Sequence, residues 1–90
     1  MDDFEKILNE SLQDPEFKKE WEDRETEYEI MRMIVLARTE QNLTQKELSE
    51  LSGVRQSNIS RIERGVCVPG ISTLEAIAKG LGKKLKIEFV

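Results

Sequence analysis

Histidine is absent from this chain, and cysteine and tryptophan occur once each. The lack of histidine removes the commonest general base, the serine and cysteine triads built on it, and most zinc sites. A single thiol, Cys67, cannot form an intramolecular disulfide and has no companion ligands for a metal, which fits a reducing cytoplasm. Long apolar runs are also missing: none approaches the roughly 20 residues needed to span a bilayer. The chain opens Met1-Asp2-Asp3, acidic where a secretory signal is basic. The acids lie on solvated helix faces and do not converge on a glycine-rich or buried apolar site. No catalytic set can be assembled from them, so no enzyme, metal or cofactor is expected.

What is present is enough for one modest core. Of 90 residues 38% are hydrophobic, and they recur at regular spacings, so the high charged fraction of 36% does not signal disorder. A mostly helical domain with an appendage is expected. The net charge of −4 divides unevenly along the chain. Residues 1–29 hold twelve acids against Lys6, Lys18, Lys19 and Arg24, a net of −8; residues 30–90 hold ten bases against six acids, a net of +4. A basic carboxyl-terminal part suits phosphate, and an acidic amino-terminal part suits a basic protein partner.

Phe4, Ile7, Leu8 and Leu12 fall at helical spacing and predict a short first helix. Asp14-Pro15 is a start signal, because aspartate accepts from first-turn amides and proline is tolerated at the first helical position. From there one long helix is expected to Glu40-Gln41-Asn42, with Phe17, Trp21, Tyr28 and Met31 sharing a stripe. These aromatics either fold back on Phe4 and Leu8 or contact another polypeptide.

Thr44 and Glu47 form a capping box, with Leu43 and Leu48 able to staple the entry; Leu48 and Leu51 are expected to face the core. Gly53 supplies a turn residue that tolerates positive φ, and Val54 returns to the interior. The next helix runs from about Gln56 to Arg64, with only Ile59 and Ile62 apolar, and its remaining side chains are expected outward. After Gly65 comes the loop Val66 to Gly70. Ser72 and Glu75 read as a second capping box opening a helix with Leu74, Ile77, Ala78 and Leu81 inward. The ending from Lys84 to Val90 alternates polar and apolar, a strand signal. A lone strand needs a partner, and the simplest is the same strand of a second copy, so Leu85, Ile87 and Phe89 are candidate homodimer contacts.

A capped helix, a glycine turn and a polar-faced helix make the bihelical unit whose second member enters the major groove of DNA. Gln56 is suited to adenine and Arg61 to guanine, while Ser57 or Asn58 takes a base edge or the neighbouring sugar-phosphate. Candidate phosphate contacts are Thr44 and Gln45 at a helix amino terminus, with Lys46, Arg55, Ser60 and Arg64 nearby.

The run T-Q-x-E-L-S-x-x-S-G-V-x-Q-S-x-I-S-R-I-E-R-G from Thr44 to Gly65 strongly resembles the Cro/C1-type (XRE) helix-turn-helix family, and the likeness extends over residues 28–82. The resemblance implies an all-α, lambda-repressor-like five-helix domain over residues 28–83. To that are added an acidic helical extension at 1–27 and a short strand at 84–90. It places Gln45 at a phosphate and Gln56, Ser57 and Arg61 toward base edges. The flanks L-x-D-P-E-F-K-K-E-W-E at Leu12–Glu22, E-Y-E-I at 27–30 and G-L-G-K-K-L-K-I-E-F near the end look like HigA-type antitoxins. That likeness implies a dimeric repressor of its own operon that also binds a small basic HigB/RelE-like RNA-cleaving toxin. The toxin contacts would fall at Phe4, Leu8, Phe17, Trp21 and Tyr28, giving a heterotetramer with two toxins. The alternative is a free-standing or phage-type repressor without a toxin. Two departures stand out: Ser49 replaces a usual alanine, and the Val66–Gly70 loop is apolar where the family is often polar.

Overall fold

The computed structural model describes residues 6–7, 10 and 12–90. Five helices are present among the described residues, and no strand: α1 (Pro15–Asp23), α2 (Glu25–Glu40), α3 (Gln45–Ser52), α4 (Gln56–Glu63) and α5 (Ile71–Gly80). The all-α expectation therefore holds. The expected first helix around Phe4 and Leu8, and any contact of the aromatics with those two residues, lie largely outside the described residues.

Each start and stop has a local cause. The Asp14 carboxylate accepts from the Glu16 amide at 2.9 Å, with Pro15 at the first helical position. One long helix was expected from here to Glu40, but the chain breaks at Arg24, where φ is −118° and ψ 15°. In a straight helix residues seven apart are about 10.5 Å apart along the axis. Trp21 and Tyr28 instead stack with their centroids 4.4 Å apart and planes at 17°. The kink lets the two rings meet, at the cost of continuing the helix, within a run dense in like-charged acids.

α2 ends at Gln41, and Asn42 then adopts φ 56°, a conformation asparagine tolerates better than most residues. The predicted capping box opens α3: the Thr44 hydroxyl accepts from the Glu47 amide, and the Glu47 carboxylate from the Thr44 amide, both at 3.0 Å. Gly53 closes α3 at φ 76°, where a Cβ would be strained. The turn is tied from both sides. The Ser49 hydroxyl donates to the Val54 carbonyl at 2.6 Å, and the Val54 amide donates to the Ser52 hydroxyl at 3.1 Å.

Seven side chains form the buried core: Ile34 from α2, Leu48 from α3, Ile59 and Ile62 from α4, Leu74 and Ile77 from α5, and Leu81 just beyond it. Ile30, Ala37, Leu43, Val54, Cys67 and Leu85 pack around them. Cys67 is thus half-buried at the edge of this core. α3 rests on both α4 and α5, and α2 crosses α4.

Three further expectations are corrected. Leu51 is 59% exposed, because α3 meets α5 through a different side: a Cβ on Gly80 would lie 2.9 Å from Ser52 Cβ. Two small residues make that close approach, and it turns Leu51 outward. The Ser72–Glu75 capping box does not form; α5 starts earlier, capped by Gly70 without a side-chain hydrogen bond, so Ser72 already lies within the first turn. Finally, residues 83–90 form no strand in the single chain. A ladder needs a neighbouring strand, and the described residues offer none.

Candidate nucleic-acid interface

α3, the Gly53 turn and α4 build the surface toward which the sequence pointed. Ile59 and Ile62 anchor α4 in the core, fully buried, and this fixes which of its residues look out. Gln56, Ser57 and Arg61 are exposed, as is Arg55 at the amino-terminal cap. Ser60 is half-buried, and its carbonyl accepts from the Arg64 amide at 3.1 Å and from Arg64 Nε at 3.4 Å. The exposed Arg64 side chain is thereby laid back along its own helix. Asn58 is half-buried at the edge of the surface, its Oδ1 3.8 Å from Cys67 Sγ. Three base-reading candidates therefore share an open face, and the fourth leans toward the following loop.

At the start of α3, Thr44 and Lys46 are exposed and Gln45 half-buried. The Thr44 hydroxyl and amide are both engaged in the cap. Hydrogen bonds to Thr44, first its amide and then its hydroxyl side, hold the Glu47 carboxyl below its ordinary pKa. Gln45 Nε2 donates to Glu63 Oε1 at 3.1 Å.

Glu63 is the residue that the sequence reading missed. Expected outward, its side chain is only 6% exposed. Its Oε2 accepts from Arg38 Nε at 2.8 Å and its Oε1 from Arg38 Nη2 at 2.9 Å, while Arg38 Nη1 donates to the Leu43 carbonyl at 2.7 Å. One bidentate ion pair, with Gln45 attached, ties α2, the entry to α3, and the end of α4. The hydrogen bond to Glu63 holds the Arg38 guanidinium more firmly protonated than an isolated one, against the opposing effect of burial. A signal was available: Ile59, Ile62 and Glu63 fall at i, i+3 and i+4, which puts the carboxylate on the buried stripe.

Away from this face, Phe17, Trp21 and Tyr28 are half-buried. Arg24 lies 5.6 Å from the Tyr28 ring centroid and pairs with Glu27 at 2.8 Å. Arg24, Tyr28 and Met31 border a narrow cleft with Gly65, Cys67 and Val68. The α1–α2 elbow thus sits against the loop that follows α4. Among the candidate dimer residues, Leu85 packs on the chain's own core, whereas Ile87 and Phe89 are exposed.

Comparison with known proteins agrees with this geometry. The family model described as Helix-turn-helix matches residues 34–87. The chain is 44% identical over 52 residues to an uncharacterized HTH-type transcriptional regulator, y4dL, of Sinorhizobium fredii, covering 58% of this chain and 26% of that protein. It is 38% identical over 58 residues to an uncharacterized HTH-type transcriptional regulator of Haemophilus influenzae, covering 64% and 59%. Antitoxin HigA1 of Mycobacterium tuberculosis is 32% identical over 74 residues, covering 82% of this chain and 50% of that protein. The chain therefore spans between about a quarter and three fifths of the length of these relatives. No solved structure matches significantly.

Proposed function

The chain belongs to the helix-turn-helix family, and from that premise we propose that it is a sequence-specific DNA-binding repressor that also serves as an antitoxin. The observation that carries the DNA-binding half is the exposed set Gln56, Ser57 and Arg61 on a helix whose core anchors and Glu63 lock leave it one orientation. Gln56 and Arg61 supply the paired donors and acceptors that adenine and guanine edges require. Thr44, Gln45, Lys46, Arg55, Ser60 and Arg64 set register on the phosphates, with Asn58 at the margin.

The antitoxin half rests on two supports. The likeness to Antitoxin HigA1 covers 74 residues, so it reaches at least 20 residues beyond the helix-turn-helix match at 34–87. The segment it must draw on includes the acidic amino-terminal part, whose net of −8 over residues 1–29 suits a small basic HigB/RelE-like, RNA-cleaving toxin. Phe17, Trp21 and Tyr28 would form the apolar contact, with Phe4 and Leu8 outside the described residues. Two antitoxin copies, joined partly through Leu85, Ile87 and Phe89, would hold two toxins in the cytoplasm. A repressor without a toxin remains the second reading, favoured by the two relatives named only as transcriptional regulators.

Native mass spectrometry of the protein purified at endogenous level tests the antitoxin half. A stoichiometric small basic partner, lost when Phe17, Trp21 and Tyr28 are replaced, is expected; a bare homodimer would leave the second reading. For the DNA half, Arg61→Ala should relax selection at one base pair by about 1–3 kcal/mol. Lys46→Ala should weaken all sequences alike and reduce the salt slope by about one counterion. Equal loss on selected and random DNA for Arg61→Ala would remove that residue from base reading.

A further inference from the structure

The loop that follows α4 folds back along that helix. Gly65 turns the chain at φ 73°; its amide donates to the Ile62 carbonyl at 3.1 Å, and the Val66 amide donates to the Arg61 carbonyl at 2.9 Å. From there exposure alternates. Val66 and Val68 are 66% and 56% exposed, while Cys67 between them is half-buried and packs on the core. Cys67 also borders the cleft that Tyr28 and Met31 line, and a Cβ on Gly65 would come within 3.3 Å of Met31 Sδ. The thiol is therefore held between α2 and the core, and it faces the Asn58 side chain, with Sγ 3.8 Å from Oδ1.

A thiol is a weak donor and an amide oxygen an acceptor, so this contact turns Asn58 Oδ1 inward to the loop. The nitrogen is then the outward end of the amide. Asn58 Nδ2 has no hydrogen-bond partner among the described residues, and no buried side-chain nitrogen or oxygen there lacks one. Nδ2 is therefore reachable from outside. We propose that Cys67 is a positioning residue for DNA binding, presenting Asn58 as a pure donor to a phosphate oxygen at the margin of the groove. The inference rests on the DNA-binding reading above and deepens it, giving a task in recognition to a residue outside α4.

Asparagine reads adenine with both ends of its amide, the oxygen accepting from N6 and the nitrogen donating to N7. With Oδ1 committed to the loop, that pattern is not offered. What remains matches a group that only accepts, and the phosphate oxygens along the groove are such acceptors. The position agrees with the chemistry. Asn58 is half-buried where Gln56, Ser57 and Arg61 are exposed, so its amide stands back from the open face that they share. The outward side chains of the adjoining loop, Val66 and Val68, carry no donor, and Pro69 has no amide N–H. An apolar loop thus contributes to phosphate binding through the thiol that it turns inward.

Fluorescence anisotropy tests this on the full chain with two probes: a duplex that the original chain selects from a random library, and an unselected duplex of the same length. The thermal midpoint of each variant is recorded alongside. Asn58→Ala should weaken both duplexes alike, by about tenfold, as expected for one hydrogen bond to a charged group. Because asparagine is neutral, the salt slope should stay that of the original chain. Cys67→Ala should weaken both by about threefold, since a freed amide must be ordered on binding, and Cys67→Ser, which keeps a donor, should bind as the original chain does. Once Asn58→Ala is in place, adding Cys67→Ala should cost nothing more. Additive losses, or losses that follow the thermal midpoint, would make Cys67 a packing residue only and overturn the proposal. So would an Asn58→Ala loss confined to one base pair of the selected duplex, or no loss at all. These outcomes leave the DNA-binding reading standing, whereas an original chain that selects no duplex would overturn that reading and this inference together.

Discussion

Glu63 shows how a single carboxylate can organise a candidate interface from within the fold. Both of its oxygens are used, one by Arg38 alone and the other by Arg38 and Gln45. A buried pair of this kind is weak evidence of net stability, but breaking it from one side is costly because the other charge is stranded. Arg38→Ala should therefore lower unfolding free energy by about 3 kcal/mol in urea titrations. The double change Arg38→Met with Glu63→Met should cost less than Arg38→Ala alone. If the single variant loses under about 1 kcal/mol, the range expected of exposed pairs, the lock is not structural. Glu47 makes a different, pH-dependent contribution. Its pKa is lowered in the folded chain from the ordinary 4.5 by its bonds to Thr44. A depressed carboxylate contributes stability above its unfolded pKa, and that contribution disappears as pH falls through the folded value. The Tm gap between the original chain and Glu47→Gln should be full at pH 7 and close on acidification below about 4.5. A gap that persists unchanged at pH 3 would mean that the carboxylate's charge contributes nothing to the cap.

At the scale of elements, α3 and α5 are held together by the absence of side chain. Alanine normally outranks glycine in a helix by about 1 kcal/mol, so Gly80→Ala would stabilise an isolated α5. Here the new Cβ would lie 2.9 Å from Ser52 Cβ and 3.0 Å from the Ser52 backbone, and backbone cannot move aside as a side chain can. The variant should lose about 1–3 kcal/mol from forced separation of the two helices, measured as a lower denaturation midpoint. A gain in midpoint would show that the helices part easily. This contact also marks the boundary of what the sequence made legible. Local signals survived: the Asp14-Pro15 start, the Thr44 capping box, the Gly53 turn and the pair Ile59 and Ile62 all appear where spacing and residue type placed them. What failed depends on contacts between elements. Leu51 fits the apolar period of α3, yet which side of α3 meets α5 was decided by Ser52 and Gly80, which lie 28 positions apart in the sequence. The break at Arg24 likewise follows from Trp21 meeting Tyr28, a pairing that a straight-helix reading cannot contain. For the candidate interface, the exposed members Gln56, Ser57 and Arg61 were readable because a polar face needs no partner to define it. Arg38 was invisible, since its role exists only once α2 has crossed α4.

On the scale of the molecule, two regions of opposite charge lie in one small chain, and the proposed function gives them different ligands. Residues 1–29 carry −8 and residues 30–90 carry +4, so the acidic part opposes the approach of DNA to the basic part. That opposition is long-ranged at low salt and fades once the Debye length falls to a few ångströms, near 1 M. Glu16, Glu20, Glu22 and Asp23 are exposed on or beside α1, and their side chains hold no ion pair among the described residues. Replacing these four by their amides should leave the fold intact and raise affinity for random-sequence DNA several-fold at about 50 mM salt. The gain should vanish as salt rises, while preference for the selected operator over random DNA stays unchanged, because the proposed base-reading residues lie on α4. The same four changes should slow association with a basic protein partner, since complementary charge acts chiefly on the on-rate. Opposite signs in the two assays, from one set of substitutions, are what a division of labour between the halves requires. Weakened binding to both ligands would instead mean that α1 supports the DNA-binding unit mechanically, through the elbow that borders the loop after α4.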